Sequence, residues 1–155
     1  MKSIPVDELL RIVDFWVNQE WPLGRKAAEA SCDALGWERD GKGFYVTPYD
    51  FKVPEVLLVT SRTSGHVGTV EFRITDVVQE DSPDRVAFMN DVFSAVVARF
   101  RATWGKGKVK KEKHEQRALW DLPGGSRVEI SNIWSSVTCS ILSPDYAEVE
   151  RYLGG

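Results

Sequence analysis

The sequence predicts an α+β fold in one domain over residues 1–155, and three observations carry that expectation. Thr69-Val70-Glu71-Phe72-Arg73-Ile74-Thr75 alternates polar and apolar residues without a break, which is the period of a strand with one buried and one wet face. Ser82-Pro83-Asp84 then supplies a capping hydroxyl, a proline suited to the first helical turn and an acid at the positive end of the dipole. Val86, Met89, Phe93, Val96, Val97, Phe100 and Trp104 follow at helical spacing, and Gly105 is placed to end the helix. The third observation is element order: two helices, three strands, the long helix, three strands and a short helix. Short turns between successive strands imply antiparallel pairing. The expected architecture is two N-terminal helices, an antiparallel meander sheet of about five to six strands, one long helix packed on one face and a short C-terminal helix.

The first helix takes its apolar side from Val6, Leu9, Leu10, Val13, Trp16 and Val17, with Asp7 and Glu8 in its first turn. The second is expected over Arg25 to Leu35, with a small-residue face of Ala27, Ala28, Ser31, Cys32 and Leu35 and Gly36 as its stop. Trp37 is placed either to fold back over that helix end or to stand exposed for binding. Gly36 to Gly43 superficially fits the start of a phosphate-binding loop. The required order is strand, loop, helix with a hydroxyl after the lysine; here a helix precedes, a strand follows, and Gly43 holds that position. A turn rich in Asp and Gly accounts for it better.

Phe44 to Thr47 and Val56 to Ser61 read as strands, separated by Pro48-Tyr49-Asp50-Phe51-Lys52-Val53-Pro54, a loop whose aromatics serve either recognition or the edge of the core. Thr63 to Gly68 is the expected turn into the alternating strand. After the long helix, Lys106 to Arg117 holds six Lys/Arg and two Glu around His114 and is expected to be a solvated linker. Ala118, Trp120 and Leu122 alternate before the Pro123-Gly124-Gly125-Ser126 turn, Val128 and Ile130 begin another strand, and Val137, Cys139 and Ile141 mark the last. Ser143-Pro144-Asp145 repeats the earlier helix start, so each half of the chain ends a run of strands in the same way. The wet face is expected to show Glu71, Arg73, Arg127, Glu129 and Thr138, with opposite charges pairing between strands.

Composition narrows the function. With 43% hydrophobic and 28% charged residues the chain is ordinary for a globular protein. Its longest strongly apolar run, Val56-Leu57-Leu58-Val59, is too short to span a bilayer, and Asp7 and Glu8 interrupt any apolar signal at the N-terminus. A cytoplasmic location with no membrane partner is expected. Cys32 and Cys139 show no metal-ligand spacing and are expected as small buried residues. Net charge is −3, but residues 1–84 carry 9 Lys+Arg against 15 Asp+Glu while residues 85–155 carry 11 against 8. This imbalance argues against a nucleic-acid binder, which needs a basic face to meet phosphates, and leaves room for a charged protein partner.

Chemistry is sparse. His66 falls in a glycine-flanked turn and His114 in the basic run, neither at ligand spacing from a second donor, and no nucleophile elbow, zinc-binding helix or dinucleotide fingerprint occurs. The expectation is therefore a binding protein with no catalytic residue, cofactor or metal. Of the six tryptophans, Trp16, Trp104 and Trp120 lie on apolar faces. Trp134 sits in Asn132-Ile133-Trp134-Ser135-Ser136 between two strands, where it either anchors a partner or packs over the sheet edge.

The N-terminal helix of Val6 to Trp21, Leu35-Gly36-Trp37 closing the second, the meander ending in Thr69 to Ile74, the long Ser82 to Trp104 helix and the second meander together resemble the immunity proteins of bacterial polymorphic toxin systems. From Phe44 onward the element order also looks like the type III secretion chaperone fold. The first resemblance implies a non-catalytic inhibitor, monomeric or weakly dimeric, that occupies the active site of one cognate protein toxin; it supplies no residue to carry over. Candidate partner-binding residues chosen from the sequence are Tyr49, Asp50 and Trp134, supported by Glu38 and Asp40. Alternatives are a secretion or folding chaperone holding an unfolded client, and a small-molecule-binding domain or enzyme with a pocket between sheet and helices.

Overall fold

The computed structural model describes residues 1–154 as four helices and one antiparallel sheet. The helices are α1 (Val6–Val17), α2 (Arg25–Ala34), α3 (Pro83–Trp104) and α4 (Pro144–Tyr152). The eight strands are β1 (Glu38–Arg39), β2 (Tyr45–Val46), β3 (Glu55–Thr60), β4 (Val67–Arg73), β5 (Lys108–Lys111), β6 (Gln116–Asp121), β7 (Arg127–Asn132) and β8 (Val137–Leu142). Their spatial order is β1-β2-β3-β4-β8-β7-β6-β5, so two four-stranded meanders meet through their last strands. The repeated Ser-Pro-Asp start marks the helix after each meander: Ser82 Oγ accepts from Arg85 N and Ser143 Oγ from Tyr146 N, both at 3.1 Å.

Two features enlarge the sheet beyond the expected five to six strands. β1 is only two residues long, too short to leave a periodic signal. β5 lies within the expected linker, where five lysines around a single valine hide the alternation. Trp120 fixes that strand's approach by donating from Nε1 to the Gly105 carbonyl at 3.0 Å, and Gly107, at φ 62°, has no Cβ to collide with the indole.

One face of the sheet carries Val70, Phe72, Ala118, Trp120, Val128, Ile130, Cys139 and Ile141, all buried beneath α1, α2 and α3. Trp16, Trp37 and Phe72 form one aromatic group, with centroids 6.0 and 5.5 Å apart, and Phe100, Trp104 and Trp120 another at 4.8 to 6.3 Å. Trp37 therefore folds back over the end of α2, its N–H donating to the Cys32 carbonyl. On α3 the stripe from Met89 to Phe100 is buried, Trp104 is half-buried and Val86 is exposed.

α4 crosses to the other face. Its Arg151 reaches Asp121, which shares a row with Arg127 and Leu142 opposite the Trp120, Val128 and Ile141 row. Arg127, expected in water, is instead 1% exposed, held by two hydrogen bonds to Asp121 at 2.9 and 3.1 Å. The rest of that face is mixed: Glu71, Arg73, Glu129 and Thr138 are half-buried, Ser140 donates to Glu71 at 2.9 Å, Leu57 and Val59 are exposed and Leu119 is buried. Among the described residues no helix is long and apolar enough to cross a membrane.

Candidate functional site

The outer strands of the first meander and the loops beside them gather most of the residues chosen from the sequence. A cleft of about 360 Å³ is lined by Glu38, Thr47, Tyr49, Asp50 and Phe51 among others. The loop between β2 and β3 divides its aromatics: Phe51 enters the core, while Tyr49 is half-buried, 5.8 Å from Phe51 between ring centroids. Burial, reinforced by a hydrogen bond with Glu8, raises the Tyr49 hydroxyl pKa well above its ordinary value, so it stays a neutral phenol. Asp50 points outward with its side chain 98% exposed and pairs with Lys2 at 2.9 Å. Glu38 is exposed on β1. Asp40 does different work, its Oδ1 accepting from Lys42 N at 2.7 Å and Phe44 N at 3.2 Å to shape the turn into β2.

Trp134 belongs to the same end of the sheet. Val78 N donates to the Ser135 carbonyl at 2.9 Å and Asp76 N to the Lys2 carbonyl at 3.0 Å, while Asp76 Oδ1 accepts from Lys52 N at 2.8 Å. The segment from Asp76 to Val78 thus ties the β7–β8 turn to the loop bearing Tyr49 and Asp50. Sequence reasoning misses Asp76, because an aspartate between two meanders gives no sign of the backbone N–H it will meet. Trp134 is half-buried and has φ 72°, its N–H donating to Asn132 Oδ1 at 3.0 Å. That left-handed conformation is costly for a bulky residue and is one glycine or asparagine adopts readily.

A larger cleft, about 490 Å³, lies at the opposite end between the Trp21-Pro22 segment, the β3–β4 turn and the start of α4. It contains His66, Asp145 and Tyr146, yet several of its hydroxyls serve local structure. Ser61 Oγ accepts from Thr63 N and Ser64 N, Ser64 Oγ from His66 N, and Ser143 Oγ from Tyr146 N. The two cysteines are free and buried; burial above all pushes the Cys32 thiol up to about 12 and raises Cys139 further, so neither is a ready nucleophile.

The chain belongs to DUF6301, a family of unknown function whose model matches residues 7–143. Comparison with curated proteins and with solved structures gives no match.

Proposed function

We propose that the protein is a binding inhibitor, an immunity protein that docks a folded, basic enzymatic toxin against the Tyr49, Asp50 and Trp134 end of the sheet and covers its active site. The observation that carries this reading is Trp134: a large aromatic side chain kept half in water on a backbone that favours glycine. Backbone strain of this kind costs about 1–2 kcal/mol and points to a role for the side chain that fold stability does not supply. Tryptophan is also the residue type that most often anchors protein interfaces. Asp50, Glu38 and Asp76 lie at the same end of the sheet and suit a basic partner, whose approach they would speed.

The test is affinity capture from the cell that encodes the chain, using the wild type and a Glu38→Lys/Asp50→Lys variant, followed by an activity assay of the captured protein with and without each. The reading expects one folded enzyme, held one-to-one, inhibited by the wild type and at least about tenfold less well by the variant. Equal inhibition by both, or capture of a mixture of unfolded chains, overturns it, the latter in favour of a chaperone.

The 490 Å³ cleft favours a second reading, a small-molecule site walled by Trp21, Tyr146 and His66. A ligand screen by thermal shift, repeated on Tyr146→Ala, separates it from the first because the two sites lie at opposite ends.

A further inference from the structure

The far edge of the sheet carries charge of the other sign. From Lys106 to Lys113 the chain has five lysines and one glutamate. Among the described residues none of the five lysines takes part in an ion pair. β5 pairs with β6 on one side only, so alternate backbone N–H and C=O groups along its outer side face solvent. Lysines on an edge discourage pairing with a second copy, since antiparallel self-pairing would set lysine beside lysine. They do not discourage an acidic strand.

The two faces of β5 differ. Lys108 and Lys110 lie on the face away from α1, α2 and α3, beside Leu119 and Arg117 of β6. Val109, 44% exposed, lies on the helix-covered face, where α3 stops short of the edge. There Phe93, Val97, Ala98, Val109, Arg101 and Gln116 line a groove of about 300 Å³. A strand added outside β5 would place alternate side chains over the apolar part of this groove, Val97, Ala98 and Val109, and the others beside Lys108 and Lys110.

We propose that the outer edge of β5, together with the groove between it and α3, docks an acidic β-strand segment of a partner protein whose residues alternate between carboxylate and aliphatic. The segment pairs with β5 through the backbone, sets its aliphatic side chains on Val97, Ala98 and Val109, and sets its carboxylates against Lys108 and Lys110. β5 lies seven strand spacings, on the order of 30 Å, from β1 with Glu38 and two spacings from β7, which leads to Trp134; the residues used here are different ones, so the inference does not depend on the inhibitory reading.

The test is fluorescence anisotropy with a fluorescein-labelled peptide of alternating glutamate and valine. Controls are the lysine–valine counterpart, the acidic peptide N-methylated at alternate residues, and an oligothymidylate of equal charge. The expected result is binding of the acidic peptide alone, weakened by added salt and at least about tenfold by Lys108→Glu/Lys110→Glu or by the milder Lys108→Gln/Lys110→Gln. N-methylation should abolish it by removing the backbone pairing. Unchanged binding by both double variants, undiminished binding of the N-methylated peptide, no binding of the acidic peptide, or tighter binding of the oligothymidylate overturns the proposal.

Discussion

The two meanders give their inner strands a buried face by different means, while the edge strands β1 and β5 bury no residue. In the second, strands of four to six residues run in continuous register, and one end of the wet face is closed by α4 and the Asp121, Arg127 and Arg151 cluster. In the first, the outer strands have two residues each, and the wet side of β3 leaves Leu57 and Val59 more than two-fifths exposed. Side chains meeting backbone in loops hold that region: Asp76 with Lys52, Asp40 with Lys42, Lys2 with Asp50. On the proposed reading, this difference separates what secures the fold from what meets a partner. The regular strands of the second meander hold the sheet together, and on that reading the loops at one end, the β7–β8 turn with Trp134 among them, display side chains that the fold can spare.

The largest expected effect breaks the regular half. Arg127→Ala leaves Asp121 without its bidentate partner and opens a void beneath α4, so urea unfolding should show a loss of about 3–5 kcal/mol. Arg127→Met, which fills the space without the charge, should lose less. A loss under about 1 kcal/mol for Arg127→Ala would place the rigidity elsewhere.

Acid should act on the same cluster. The hydrogen bond from Arg127 holds the Asp121 carboxyl below its ordinary value, so its stabilisation is complete above the ordinary aspartate range and disappears as pH falls through the lowered value. Glu129 works in the opposite sense. Burial raises its pKa, so protonation adds stability as pH falls from that raised value toward the ordinary glutamate range. Midpoints of urea unfolding against pH should show both limbs, and Asp121→Asn should remove the lower one while Glu129→Gln removes the upper one.

Gly68→Ala should cost an intermediate amount. The Tyr146 ring occupies the place a Cβ would take, so α4 must shift, at about 1–3 kcal/mol in thermal or urea unfolding. The smallest effect sharpens the contrast. Asp50→Ala removes an exposed pair with Lys2 and should change stability by less than about 1 kcal/mol.

Much of this organisation was legible in the sequence where a side chain's fate depends on its neighbours in the chain. The α3 stripe, the Thr69 to Ile74 alternation and both Ser-Pro-Asp caps are local patterns, and they lie where expected. Glu38, Tyr49 and Asp50 could be chosen because a proline-bounded loop and an acidic turn are visible in the sequence. Their meeting in one cleft depends on the pairing of β1 to β3, and Asp40 proved to be a turn residue. β5 was hidden because lysine-rich composition describes solvation, whereas this strand forms through the register with β6 and the indole of Trp120. Period-2 alternation places Arg127 in water because it does not include a helix returning over the second face. The left-handed backbone of Trp134 leaves no mark in composition or spacing.

The most direct test of the separation is to measure two quantities on Trp134→Ala: the melting temperature, and one-to-one binding to the enzyme captured by the wild type. A role in recognition predicts a melting temperature within about 3 °C of wild type and binding weakened at least about tenfold. A fall in melting temperature of about 8 °C or more with binding unchanged would make Trp134 part of the core's edge and contradict the account.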